Sequence, residues 1–254
     1  MTSSEGIAHA VAALTGGAPL RVWSLVVTIF GDLASGEEDW LSGATLGALT
    51  APLGVRPEAL RVALHRLRRD GWLESRKAGR GALHRLSATA RAETRAAAPR
   101  IYERTSPKDL WLILPEPGAP LPKGPVWIGR GVGLTSAPGV GFALPVAPEA
   151  LAPWMRARIV SDALTADCAA AADGLARAHD LLTRHDLSPD DSVVLRCLAV
   201  HIWRRIALKA PSLPDAAFPS GWRGAEARQS FCDLIGMVPA RDAEGMRAEV
   251  ISGN

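Results

Sequence analysis

The chain has 254 residues, 48% of them hydrophobic, and a formal net charge of +3 at neutral pH. That is enough apolar material for a buried core, arranged as one large domain or as roughly two to three small ones. No apolar run reaches membrane-spanning length, and the N-terminus lacks the basic start of a signal peptide, so a cytoplasmic protein is expected.

The charge is uneven. Before Arg56 the acids Glu5, Asp32, Glu37, Glu38 and Asp39 outnumber the lone Arg21, whereas from Arg56 to Arg104 the net charge is about +8 and after Arg104 about −1. A positive field confined to one segment suits a polyanionic partner.

In chain order, "LRVWSLVVTIFGDL" predicts an apolar helix after Pro19. Ser42 is placed to cap a short helix through Leu49, which Pro52 and Gly54 stop. A further helix opens at Pro57 with Glu58 in its first turn, and Leu60, Leu64 and Leu67 line one buried face. Arg61, His65 and Arg68 repeat at the same spacing on an exposed face, flanked by Arg66 and Arg69 and preceded by Arg56. Gly71 ends the helix. "WLESR" and "ALHRLS" then predict two strands joined by "KAGRG", whose glycines suit a tight turn.

Helix, short connection, basic helix and basic-tipped hairpin form the pattern of a winged helix-turn-helix. An α-helix fits the major groove of duplex DNA, where outward arginines reach guanine edges and phosphates, and a glycine-tipped wing brings Lys77 and Arg80 to the backbone. The expected DNA-binding residues are therefore Arg56, Arg61, His65, Arg66, Arg68, Arg69, Lys77 and Arg80.

Ala88 to Tyr102 continues as an amphipathic helix. From Asp109 to Pro148, "DLWLILP", "GPVWIG" and "GVGFALPVA" predict short strands separated by proline- and glycine-rich turns. The run "GRGVGLTSAPGVG" reads as turn glycines: it lacks the G-K-[ST] end of a phosphate-binding loop, and Pro138 interrupts the helix a dinucleotide site needs. From Ala150 onward the chain is helical. One helix starts at Ser188 as N-cap with Pro189 and Asp191 behind it, and the last starts near Gly224.

Three stretches resemble the PaaX-like family, the repressors of phenylacetic acid degradation. "SLVVTIFGDL" with "WLSGATLGALTAPLGV" is similar to the family's opening helices. "LRVALHRLRRDGWLESRKAGRGALHRLS" is similar to its recognition helix and wing, through Arg61, Arg66, Leu67, Gly71 and Trp72. "LRCLAVHIWRRIALKAPSLPDAAFPSGWRGAEA" resembles its C-terminal signature, through His201, Arg204, Pro211, Leu213, Pro214, Pro219, Trp222 and Gly224.

The resemblance implies an α+β, predominantly helical fold: a winged helix-turn-helix over 18–103, a small ferredoxin-like, Cas2-like middle domain over 106–160, and a helical effector and dimerisation domain over 161–250. It implies a homodimer on a double-stranded operator, repressing an aromatic catabolic operon and released by an aryl-acyl coenzyme A such as phenylacetyl-CoA, with no resident cofactor. One departure is visible. "PEPGAPLPKGPVWIG" stands where the family has a helix after the first middle strand, and its prolines and glycines disfavour one, which predicts a shortened middle domain.

For the effector, Arg196, Arg204 and Arg205 are candidates for the phosphates and Trp203 or Trp222 for the acyl tail, with His201 in the same helix. The structural alternative makes Trp203 core, His201 a satisfied interior histidine, and Arg204 with Arg205 a solvated face or interdomain link.

Two other classes compete. A nucleophile pair from His179, His185 or His201 with Cys168, Cys197 or Cys232, or paired carboxylates at Asp190 and Asp191, would make an acyl-CoA enzyme or a metal-dependent nuclease. The aspartates are better explained as helix-start acids, and the cysteines as small buried thiols outside any disulfide or zinc spacing. A basic protein-interaction module is the other alternative. The expectation is a non-enzyme with no metal site and no catalytic residue.

Overall fold

A computed structural model describes residues 3–139, 141–184 and 187–238. It is a mixed α+β chain in which helices dominate and two small antiparallel sheets are set between them.

Helix α1 (Ser3–Thr15) leads into α2 (Val22–Leu33). The second helix is apolar on nearly every side, and Leu25, Val26, Ile29 and Phe30 are fully enclosed. Its β-branched residues are modest helix formers, so packing holds it more than propensity does. Strand β1 (Leu41–Ser42) runs directly into α3 (Gly43–Thr50), where Ser42 Oγ accepts the Thr45 amide at 3.0 Å. A 3₁₀ turn at Ala51–Leu53, holding Pro52, closes α3.

Helix α4 (Pro57–Arg69) buries Leu60, Ala63, Leu64 and Leu67 as its spacing predicts. Strands β2 (Leu73–Ala78) and β3 (Gly81–Leu86) form the hairpin, reversing through Gly79-Arg80. Gly79 sits at φ +54°, a left-handed conformation that a residue with a Cβ adopts only at a cost. β1 pairs with the other edge of β3, Leu41 opposite His84 and Ser42 opposite Leu83, giving the order β1-β3-β2. Helix α5 (Ala88–Tyr102) follows, capped by Ser87 Oγ on the Ala90 amide.

The middle sheet has four strands, β4 (Trp111–Leu114), β5 (Val126–Gly129), β6 (Val132–Thr135) and β7 (Phe142–Pro145), in the antiparallel order β5-β6-β4-β7. Three strands were expected from the sequence. The fourth, β6, lies inside the glycine-rich run read as turns, because Val132 and Leu134 alternate there and Leu134 is fully buried. Residues 115–125 cross from β4 to β5 without a helix, as their prolines predict.

A short α6 (Pro153–Arg156) precedes the long helices α7 (Asp162–Arg184), α8 (Pro189–Ala207) and α9 (Gly224–Met237). One apolar core runs through α1, α2, α4, the hairpin base, α5, α7, α8 and α9. The N-terminal and C-terminal helices therefore share an interior, with α8 packed against α1, α2, α3, α5, α7 and α9. α1 meets α7 at Gly174, where an added Cβ would lie 2.7 Å from the Ala13 carbonyl oxygen. A second, smaller core holds the middle sheet through Leu110, Ile128, Leu134, Ile159, Leu213 and Phe218. Among the described residues no helix is long and apolar enough to cross a membrane. Residues 239–250, expected to finish the C-terminal helical region, lie outside the described residues.

Candidate nucleic-acid interface

Since α4 turns Leu60, Leu64 and Leu67 inward, its basic residues point out. Arg56, Arg61, His65, Arg66, Arg68, Arg69, Lys77 and Arg80 are all exposed. They do not form one set. Arg61, His65 and Arg68 look onto an open groove whose other walls are α3 and the hairpin, the latter supplying Arg76, Arg80 and His84. The α3 wall carries the small residues Gly43, Ala44, Gly47 and Ala48, continued by Ala51 of the 3₁₀ turn, so its backbone is accessible. Arg66 and Arg69 lie round the helix from this groove. Asp70 binds both, at 3.4 Å from Arg66 and 3.0 Å from Arg69, and these guanidiniums, Arg69 foremost, hold its carboxyl below the usual range. The Arg66 guanidinium also stands 5.9 Å from the centre of the Trp23 ring of α2.

The acids near the groove are few and exposed. Glu58 lies 3.4 Å from Arg61, with both side chains more than two-thirds exposed, a pair worth little in water. Glu38 and Asp190 line the rim. Asp190 comes from the first turn of α8, so the C-terminal half of the chain contributes to the edge of this surface.

Sequence reasoning missed three groove residues. Arg76 and Trp40 line it, with the Arg76 guanidinium 4.5 Å from the Trp40 ring centre. His84 donates to or accepts from Ser75 Oγ at 2.7 Å, and burial, with the charge of Arg68, pushes its pKa down, so it is a neutral polar group here. Arg76 lies in the predicted strand "WLESR", where period-2 alternation from buried Leu73 makes it an exposed position, a signal for exposure though not for its place on the groove.

The expected effector residues are dispersed. Arg196 faces inward: its Nε and one terminal nitrogen bind both oxygens of Asp32 at 2.8 and 2.9 Å, and the other terminal nitrogen donates to the Val238 carbonyl at 2.9 Å. Tyr102 Oη donates to Asp32 at 2.7 Å, and burial together with that carboxylate raises the phenol pKa. All three nitrogens of Arg196 are thus engaged in joining α2, α8 and the end of α9.

His201 is 1% exposed, and burial, with Arg204 and Arg205, pushes its pKa down to about 3. Its Nδ1 is 3.0 Å from Thr28 Oγ1. The Thr28 hydroxyl donates to the Ser24 carbonyl at 2.9 Å, so its oxygen accepts from His201 and from Arg204 at 3.1 Å, and the imidazole is neutral with its proton on Nδ1. The interior-histidine reading holds for this residue. Arg205 is exposed. Trp222 stacks on Phe218 at 4.7 Å beside a small cavity of about 60 Å³ that Trp203 also lines. The Trp203 indole is core, donating to the Ile101 carbonyl at 2.8 Å.

The competing chemistry finds no support in the geometry of the described residues. Cys168, Cys197 and Cys232 are buried, and burial raises each thiol, Cys168 to about 11, which leaves them protonated and poor nucleophiles. Asp190 and Asp191 sit in the first turn of α8, where Ser188 Oγ donates to Asp191. His185 lies outside the described residues.

A family model described as PaaX-like protein matches residues 21–90, and one described as the PaaX-like protein C-terminal domain matches residues 161–245. The transcriptional repressor PaaX of Escherichia coli (strain K12) is 28% identical over 270 residues, covering 91% of this chain and 84% of its own. An uncharacterised protein of Mycobacterium tuberculosis of solved structure aligns over 88% of this chain and 99% of its own, at 20% identity and a TM-score of 0.45.

Proposed function

The chain belongs to the PaaX-like family, whose curated relative is a transcriptional repressor and not an enzyme, and from that premise we propose that it is a sequence-specific DNA-binding repressor. In this reading α2, α3 and α4 with the β2–β3 hairpin are a winged helix-turn-helix within residues 18–103. α4 enters the major groove, and the hairpin lies along the adjacent phosphates. The observation that carries it is the convergence of exposed cations from two separate elements, Arg61 and Arg68 of α4 and Arg76 and Arg80 of the hairpin, on one open groove.

The finer parts follow the family. The middle segment, 106–160, is a ferredoxin-like sheet: its strand order, with β6 antiparallel between β4 and β5, is that of a split β-α-β unit from which the helix has been lost. The helical part, 161–250, pairs two copies and responds to an aryl-acyl-CoA, phenylacetyl-CoA being the first to test, so that a catabolic operon is released when its substrate is present. A dimer sets two α4 helices in successive major grooves, so the operator is an inverted repeat with half-sites about one helical turn apart, or a small multiple of it.

The test is genome-wide footprinting of the purified protein, with and without a panel of acyl-CoA thioesters. The expected result is a palindromic motif whose occupancy drops with one thioester. On that operator, Arg61→Ala and Arg68→Ala each weaken binding by about 1–3 kcal/mol if the residue reads a base. Unchanged affinity in both variants would remove α4 as the reader.

A further inference from the structure

Two guanidiniums share one indole in this molecule. Arg76 Cζ lies 4.5 Å, and Arg85 Cζ 4.6 Å, from the centre of the Trp40 ring. They are not equivalent. Arg85 is tied down: its Nε donates to Glu74 at 2.9 Å and a terminal nitrogen to the Glu37 carbonyl at 3.0 Å, with less than a quarter of the side chain exposed. Together with the pairing of β1 on β3, this fixes the indole against the sheet. Arg76 is exposed and pairs with no carboxylate among the described residues, and it stands on the groove wall with Arg80.

Stacking on an aromatic face restrains a guanidinium without using its N–H edge, which stays free for the oxygens of a phosphate. We propose that Arg76 is a phosphate-contacting residue of the hairpin and that Trp40 is its positioning residue, holding the guanidinium plane ready for the DNA backbone. The inference rests on the DNA-binding reading above and extends it to two residues outside the recognition helix and the wing tip.

The experiment measures affinity of the full chain for a mixed-sequence duplex of about 30 base pairs across a salt series, so that no operator need be known. Arg76→Ala is expected to reduce the slope of log K against log salt by about 1. Trp40→Leu keeps apolar bulk on the sheet but removes the ring face, and is expected to lose affinity and lower the slope as Arg76→Ala does. Trp40→Phe keeps a ring and is expected to retain the wild-type slope. The double variant Trp40→Leu with Arg76→Ala should be no weaker than Arg76→Ala alone. A merely structural Trp40 would show itself in equal slopes for the Phe and Leu variants, and a wild-type slope in Arg76→Ala would overturn the phosphate contact. Wild-type protein without salt-dependent binding would overturn the DNA-binding reading itself, and this inference with it; wild-type binding with an unresponsive Arg76→Ala would overturn the inference alone.

Discussion

Asp32→Ala tests whether Arg196 is held by the fold. The Asp32 side chain is 2% exposed and that of Arg196 11%, and the two meet through a bidentate pair at 2.8 and 2.9 Å. Removing the carboxylate leaves a buried guanidinium with only the Val238 and Ile235 carbonyls, and strips the acceptor from Tyr102. Breaking one side of a buried pair costs about 3–5 kcal/mol. In a chain of this size each kcal/mol lowers the melting temperature by about 2–4 °C, so a drop of roughly 6–20 °C is expected. Removing both charges, with Asp32→Leu and Arg196→Met together, should recover much of the loss, because an ion pair can often be replaced by apolar packing at little net cost. Urea unfolding followed by circular dichroism gives both free energies. An unchanged midpoint in Asp32→Ala, or a double variant as unstable as the single one, would refute the buried-pair account.

His201 ties stability to pH. Its pKa falls from an ordinary 6.5 to about 3 in the fold, so between those values the unfolded chain binds the extra proton. Its contribution is therefore full above about pH 6.5 and is lost as the pH falls, by about 2 kcal/mol at pH 5, and His201→Asn should flatten that slope in urea titrations at the two pH values. Gly174→Ala drives a methyl against the Ala13 carbonyl and should cost about 1–3 kcal/mol, read as a lower urea midpoint; no loss would mean that α1 does not dock on α7 as described. Asp190→Asn removes an anion from the rim of the basic groove and should tighten duplex binding about two- to three-fold at low salt, with the gain fading as salt rises, measured by fluorescence anisotropy.

What could be read from the sequence follows the range of each interaction. The limits of α4 were legible because Pro57, Glu58 and the Leu60-Leu64-Leu67 stripe are local signals, and the hairpin because its turn needs a glycine such as Gly79. Helix α1 carries no such signal: it is rich in alanine, and the glycine that receives it is Gly174, far along the chain. β1 is two residues long and becomes a strand only through pairing with β3. The site shows the same division. Outward projection of the α4 arginines was readable, but their separation into Arg61 and Arg68 on the groove and Arg66 and Arg69 around Asp70 depends on Trp23 and the hairpin as neighbours. The internal partner of Arg196 was not legible because Asp32 is 164 positions away.

The shared core constrains how repression could be relieved. Helix α8 begins with Asp190 at the rim of the basic groove, carries Arg196 and His201 against α2 in its middle, and ends with Trp203 beside the Phe218–Trp222 stack. At 1.5 Å per residue its 19 residues reach across about 28 Å. Because α2 and α8 are buried against one another, α2 to α4 and the hairpin do not hang from the C-terminal half on a free linker. A densely packed core moves between discrete arrangements and does not bend continuously. Under the proposed function, release by an effector requires α8 to shift against α2, the helix it is buried against. Asp32, Thr28 and their α8 partners then set the energy of the shift, so variants there should change the effector concentration needed for release even though none of them touches DNA.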